Sequence, residues 1–156
     1  NYNLKNSHVL PALLRKFYEA KLSNSEKVIC WGTGKPYREF LHVDDLGDAC
    51  VFALENWDPR TTNAPTDSIG KKLYFLNVGC GSDISIKELA KMISNIIGYK
   101  GQTIWDTSKP DGTPRKLLDV KNILNLGWAP RINLGEGIKS TMDEFIADFQ
   151  NKKIRD

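Results

Sequence analysis

The sequence predicts a mixed α/β chain in which about five helices are interleaved with short, separated strands. Three observations carry that expectation. Apolar residues recur at three- and four-residue spacing over several long stretches, and brief apolar runs between them end in turns dense in glycine and proline. The composition is also ordinary for a globular chain: 156 residues, 40% hydrophobic and 26% charged, which excludes a disordered tail, a collagen-like repeat and a coiled coil. A chain this long buries about 70% of its unfolded surface, so a single domain is the default.

The first helix is expected to start near Pro11, whose missing N–H costs nothing in a first turn. Leu10, Leu13, Leu14, Phe17 and Tyr18 give it one apolar face, and Ser23-Asn24-Ser25 ends it. Residues 28–31 read as a short buried strand, closed by Gly32-Thr33-Gly34-Lys35-Pro36. Residues 38–43 are extended, after which Asp44 or Asp45 caps a helix with Leu46, Ala49, Cys50, Ala53 and Leu54 on its inner face. The polar stretch 58–70 predicts a disordered loop. Residues 73–78 are nearly all apolar, the pattern of a strand covered on both faces in a parallel sheet.

Ser85 and Glu88 then form a capping box for a helix carrying Ile86, Leu89, Ala90, Ile93 and Ile97, with Gly98 as its stop. Residues 102–105 are a short strand, and 109–116 a loop rich in turn formers and cations. A short helix follows Asp119 and stops at Gly127. The last helix buries Leu134, Ile138, Met142, Phe145, Ile146 and Phe149. There are no internal repeats.

Twenty-two Lys+Arg against nineteen Asp+Glu leave a formal charge of +3, too weak to argue for nucleic acid but compatible with a local phosphate site. Cys30, Cys50 and Cys80 are widely spaced and sit among apolar or small residues, so no disulfide framework is expected and a reduced, cytoplasmic setting fits best. With only His8 and His42, no zinc-ligand spacing exists. No apolar run approaches the ~18 residues that span a membrane, and no signal-peptide pattern is present. Beginning Asn1-Tyr2-Asn3, the chain reads as a mature product or a cut piece. No G-x-G-x-x-G follows an opening strand and no Tyr-x-x-x-Lys lies on a helix. A dinucleotide domain, if the protein has one, is therefore expected outside these residues.

Three segments carry most of the chemistry: Asn6-Ser7-His8-Val9-Leu10-Pro11-Ala12-Leu13-Leu14, then Trp31-Gly32-Thr33-Gly34-Lys35-Pro36-Tyr37-Arg38-Glu39-Phe40-Leu41-His42-Val43-Asp44-Asp45, then Lys109-Pro110-Asp111-Gly112-Thr113-Pro114-Arg115-Lys116-Leu117-Leu118-Asp119. Together they resemble the C-terminal half of the GDP-L-fucose synthase family, NADPH-dependent epimerase/reductases of the extended short-chain dehydrogenase type. The run Arg-Glu-Phe-x-x-Val-Asp-Asp is shared by many extended sugar-nucleotide enzymes. The first and third segments are more particular.

The resemblance implies roles residue by residue. A lone histidine here would otherwise be a helix-start residue. As the His of Asn-Ser-His, His8 is implied to lie beside the nicotinamide of NADP(H) and to return a proton to the substrate during 3,5-epimerisation. The chemistry is coherent, since a 4-ketone acidifies the hydrogens on both flanking carbons and inversion needs an acid and a base of suitable pKa on opposite faces. The partner base, a cysteine in the family, would lie upstream, and none of Cys30, Cys50 or Cys80 sits in a matching motif.

Trp31 could fill a core and Arg38 could pair with Glu39 or Asp44. The resemblance instead makes both substrate contacts, an indole wall and a planar fork for a diphosphate. Lys16 stands where the family has a cation on the first helix, a point charge in place of a fork. Asp111 and Lys116 are implied to hold the nucleotide-sugar from a stiff loop, which could otherwise be a solvated turn; Arg115 adds a second cation. His42, Asp44 and Asp45 are read as a helix start, not a metal or acid/base cluster.

On this reading residues 1–156 are the C-terminal substrate-binding region of an extended enzyme whose N-terminal cofactor domain is absent. Segments near 40–55 and 73–79 are expected to pack on that missing Rossmann domain, leaving apolar surface exposed when the region stands alone. The implied partners are a GDP-sugar, NADP(H) bound mainly by the absent domain, and a second copy in a homodimer, with no nucleic acid, membrane or metal. The fragment alone is expected to be inactive, because hydride transfer needs an oriented nicotinamide. Two alternatives stay open: another sugar-nucleotide epimerase or dehydratase of the same superfamily, and a non-catalytic nucleotide-sugar binding module.

Overall fold

The extended residue His8 (φ −67°, ψ 162°) delivers the chain into the first helix, α1 (Val9–Leu22). β1 (Lys27–Trp31), β2 (Tyr37–Glu39), α2 (Val43–Asn56), β3 (Asp83–Ser85), α3 (Ile86–Ile97), β4 (Gln102–Asp106), β5 (Arg115–Lys116), α4 (Lys121–Asn125) and α5 (Leu134–Gln150) follow. The computed structural model describes residues 1–4, 6–62 and 64–154. The chain divides into two units, one of Asn1–Arg38, Ile84–Arg115 and Gly135–Asp156, the other of Glu39–Asp83 and Lys116–Leu134. β1 and β4 pair in parallel, with Lys27 opposite Gln102 and Trp31 opposite Asp106. The other sheet has three very short strands in the order β3-β2-β5.

The first unit closes a core of its own. Leu13, Leu14, Phe17 and Tyr18 of α1 are buried as their spacing requires, and so are Leu89, Ala90, Ile93 and Ile97 of α3. Ile138, Met142 and Phe145 of α5 complete it. Edge-to-face rings join the layers, Tyr18 to Phe145 at 5.6 Å and Phe17 to Tyr99 at 5.6 Å. The capping box forms as the sequence predicts: the Ser85 hydroxyl accepts from Glu88 N–H at 3.1 Å, and Glu88 Oε2 accepts from Ser85 N–H at 3.1 Å. At the other end of α3, Gly98 adopts the left-handed conformation and Lys21 Nζ donates to Ile97 O at 2.7 Å, satisfying a terminal carbonyl. β1 departs from its prediction, for its burial alternates: Val28 and Cys30 are buried, while Ile29 is 50% exposed. A strand covered on one face alternates in this way.

The second unit departs further. Ala49, Val120, Ile123 and Trp128 make a small core, with Leu41, Phe52, Leu76 and Val78 packed against it. α2 does not turn its apolar stripe inward. Leu46, Cys50 and Leu54, expected on the inner face, are exposed, and Ala49 is the buried apolar residue of the helix.

The cap of α2 differs too. His42 is the N-cap, its Nδ1 accepting from Asp44 N–H at 3.2 Å. Asp45 is instead buried, its carboxylate accepting from Arg131 N–H at 3.1 Å and Ile132 N–H at 3.0 Å. Two backbone N–H groups satisfy a buried carboxylate better than a helix end open to water would.

Residues 73–78 form no strand. A strand needs a neighbouring strand to take up its backbone N–H and C=O groups; among the described residues Leu73 N–H meets Pro65 O at 2.9 Å, but no strand pairs with the segment. Tyr74 and Phe75 are 69% and 62% exposed, while Leu76 and Val78 lie on the small core. The 58–70 loop, of which residue 63 lies outside the described residues, is folded on itself. Thr66 bridges to Lys72, Asp67 Oδ1 accepts from Ile69 and Lys71 N–H, and Lys72 Nζ donates to Arg60 O and Thr61 O.

Candidate functional site

β1 ends in Trp31, a residue that is 57% exposed and so does not fill a core. The chain must turn at once, and Gly32 and Gly34 do so with φ of +78° and +74°. Both are also sterically bound to be glycine. A Cβ on Gly32 would collide with Asp111 Oδ1, and one on Gly34 would stand 2.7 Å from the Trp105 ring. Thr33, between them, donates its N–H to Asp111 Oδ1 at 2.8 Å and its hydroxyl to Asp111 Oδ2 at 2.6 Å. The cationic loop is thus fastened to the end of β1.

The chain then returns through Pro36 to Arg38, which pairs with no carboxylate among the described residues. Its Nη1 donates to Tyr37 O at 2.6 Å and Thr113 O at 2.7 Å, which fixes the guanidinium while leaving its charge uncompensated. Glu39, one of the partners considered for it, accepts instead from Gly81 N–H at 2.6 Å and Leu118 N–H at 3.1 Å.

Trp31, Arg38 and Asp111 line one hollow with Val9, Pro36 and Pro110, about 160 Å³ in volume. Ligand pockets for whole small molecules run to about 300–1,000 Å³, so this hollow has room for one group of a larger ligand and not for the whole. Two ammonium groups flank the indole: Lys16 Nζ is 5.3 Å and Lys109 Nζ 5.8 Å from the ring centroid. Lys16 is held there by donating to Ile29 O at 3.0 Å. The Thr33 hydroxyl and N–H, with Lys35 nearby, hold the Asp111 carboxyl below its ordinary range. Cations therefore surround an exposed aromatic face and a stiff proline-edged hollow, an arrangement suited to an anionic group such as phosphate.

His8 is exposed at the N-cap of α1, next to Val9 of the hollow, and its side chain makes no capping hydrogen bond. Lys116 is exposed on β5 in the second unit and is not among the residues lining the hollow. Sequence reasoning missed Thr33 and Lys109. A threonine between two constrained glycines was a legible sign of a tight turn, but nothing in the spacing showed which partner it would meet. Among the described residues, no group of three or more His, Cys, Asp or Glu could hold a metal ion. No helix there is long and apolar enough to cross a membrane.

Residues 1–64 match the NAD dependent epimerase/dehydratase family. The chain is 45% identical over 153 residues to putative GDP-L-fucose synthase 2 of Arabidopsis thaliana, covering 98% of this chain and 43% of that protein. To the GDP-L-fucose synthase of Escherichia coli K12 it is 46% identical over 146 residues, covering 94% of this chain and 44% of that one. It also superposes on MlghC, a GDP-mannoheptose C4 reductase from Campylobacter jejuni with NADP bound, with a TM-score of 0.77 and 33% identity over 94% of this chain and 48% of that one. The chain thus spans less than half the length of each of these proteins.

Proposed function

Because the chain belongs to the epimerase/dehydratase family of extended short-chain dehydrogenases, we propose that it is the substrate-holding portion of a GDP-L-fucose synthase. The full protein would epimerise GDP-4-keto-6-deoxy-D-mannose at C3 and C5 and reduce its 4-ketone. The observation that carries this reading is the convergence of Trp31, Arg38 and Asp111 on one hollow, with the Lys16 and Lys109 ammonium groups around the indole. Arg38, its Nη1 anchored, offers its remaining N–H groups to a phosphate oxygen. Lys16 and Lys109 add charge without direction, and Lys116 is assigned to the same substrate by resemblance. His8, with no capping role, is free to carry a proton to the enolate carbon beside the ketone.

The glycine turn after β1 leads into β2 and not into a helix N-terminus, so it lacks the form of a pyrophosphate-binding turn; of the cofactor, only the nicotinamide is assigned to this chain, beside His8. These residues are therefore assigned to the sugar nucleotide, and NADPH, held mainly by the upstream part of the protein, supplies the hydride. The exposed apolar residues of 40–55 and 73–79, including Val43, Leu54, Tyr74 and Phe75, are assigned to packing against that part. A homodimer and a cytoplasmic location complete the proposal.

The test uses the full-length protein with NADPH and GDP-4-keto-6-deoxy-D-mannose in deuterated water. NADPH is consumed, GDP-L-fucose forms, and UDP- and dTDP-sugars are poor substrates. His8→Gln suppresses deuterium incorporation at the epimerised carbons while NADPH affinity stays within about threefold, the scale of a lost minor contact. Undiminished exchange in His8→Gln removes the acid role, and a preference for UDP or dTDP removes the GDP-sugar assignment.

A further inference from the structure

Asp111 lines the hollow, yet each of its carboxylate oxygens already accepts a hydrogen bond from Thr33. The two bonds join residues 78 apart in sequence and tie the turn after β1 to the 109–115 loop. Each side of the hollow is carried by one of the segments they join, which Tyr37 N–H also ties together by donating to Pro114 O at 2.8 Å. The turn carries Trp31 on one flank and leads to Arg38 on the other. The loop carries Lys109 and Pro110, and its Thr113 carbonyl anchors Arg38 Nη1. Gly32 leaves room for no side chain against Asp111 Oδ1, so the approach is built into the backbone as well.

We propose that Thr33 is a positioning residue for nucleotide-sugar binding: its hydroxyl latches Asp111 and thereby sets the distance between the indole, the guanidinium and the lysines. This rests on the GDP-sugar reading above and names a residue to which that reading gives no role. A latch of this kind acts before the ligand arrives, so it belongs in KM more than in kcat. It also ties binding to pH. The Thr33 hydroxyl is the foremost cause of the lowered Asp111 pKa. Because that pKa is depressed, the latch is in place at neutral pH and is lost as pH falls through the Asp111 pKa.

The experiment compares the full-length wild type with Thr33→Val, which keeps the shape and the N–H but removes the hydroxyl, and with Thr33→Ser, which keeps the hydroxyl. Turnover of GDP-4-keto-6-deoxy-D-mannose and binding of GDP are measured from pH 8 down to about pH 2.5, a range that spans the ordinary Asp value of about 3.9 and the region below it. Thr33→Val should raise KM about tenfold, the scale of loosening one hydrogen bond to a charged group, with kcat within about twofold. The acid limb of its 1/KM profile should move to higher pH, since Asp111 then titrates nearer its ordinary range. Thr33→Ser should stay near wild type in both respects.

A wild-type KM and acid limb in Thr33→Val overturns the latch, and so does a Thr33→Ser as impaired as Thr33→Val. If Thr33→Val fails to fold, Thr33→Ser and Asp111→Asn decide: the latch requires Thr33→Ser to keep the wild-type acid limb and Asp111→Asn to lose it, and any other pattern overturns it. Failure of the wild type to bind GDP or turn over the sugar removes the GDP-sugar reading itself. A wild type that does both, alongside an unaffected Thr33→Val, removes only the latch.

Discussion

In the first unit, large apolar side chains of the helices are turned inward: Leu14, Phe17, Leu89, Ile93, Ile138 and Phe145 are all 2% exposed or less. In the second, α2 alone leaves Val43 and Leu54 at 71% and 87% exposed, with Tyr74 and Phe75 also outside its small core of Ala49, Val120, Ile123 and Trp128. The first unit has apolar helix faces that match one another. The second leaves more of its apolar surface uncovered and adds hydrogen bonds at acidic groups: buried Asp45 on Arg131 and Ile132 N–H, half-buried Glu39 on Gly81 and Leu118 N–H, and exposed Asp48 on Trp128 Nε1. An exposed apolar stripe of this kind fits the docking role proposed above for 40–55 and 73–79.

The sharpest way to break this contrast is to attack the first core. Phe17→Ala should destabilise the full-length protein by about 3–5 kcal/mol in denaturant unfolding, through lost transfer energy and an uncollapsed cavity. A cost under about 1 kcal/mol would mean that this core is not the chief source of stability. Next in size, Arg38→Ala should raise KM for the GDP-sugar by about 1.5–3 kcal/mol with the fold intact, since its side chain meets only carbonyls and the hollow. An unmoved KM would make Arg38 structural. The smallest effect is the most telling about the second unit. Leu54→Ala should change the stability of residues 1–156 alone by no more than about 0.5 kcal/mol, as for any exposed site. In the full-length protein the same change should cost about 2 kcal/mol or more if the stripe is covered there. Equal small costs in both would leave α2 without a docking role.

Much of the first unit was legible because its signals are local. The capping box at Ser85 and Glu88, the stop at Gly98 and the apolar spacing of α1, α3 and α5 each place a residue by what stands three or four positions away. The second unit was misread for a physical reason: periodicity reveals that a face is apolar, not what lies against it. The stripe of α2 and the run 73–78 are apolar patterns only partly covered among the described residues, so one became a largely exposed face and the other a segment outside any strand.

The candidate site divides along the same line. The residue types that suit a sugar diphosphate, Trp31, Arg38, Lys16 and Asp111 among them, stand in the sequence, as do the glycines that permit a sharp turn. Which of them meet was decided only in three dimensions. Thr33 reaches Asp111 across 78 positions, Lys109 comes up beside Trp31, and Arg38 takes carbonyls and not the carboxylate of its alternative reading. Chemical capacity is a property of each residue, but a binding site is a set of distances, and distances between remote residues are set by packing that no local pattern encodes.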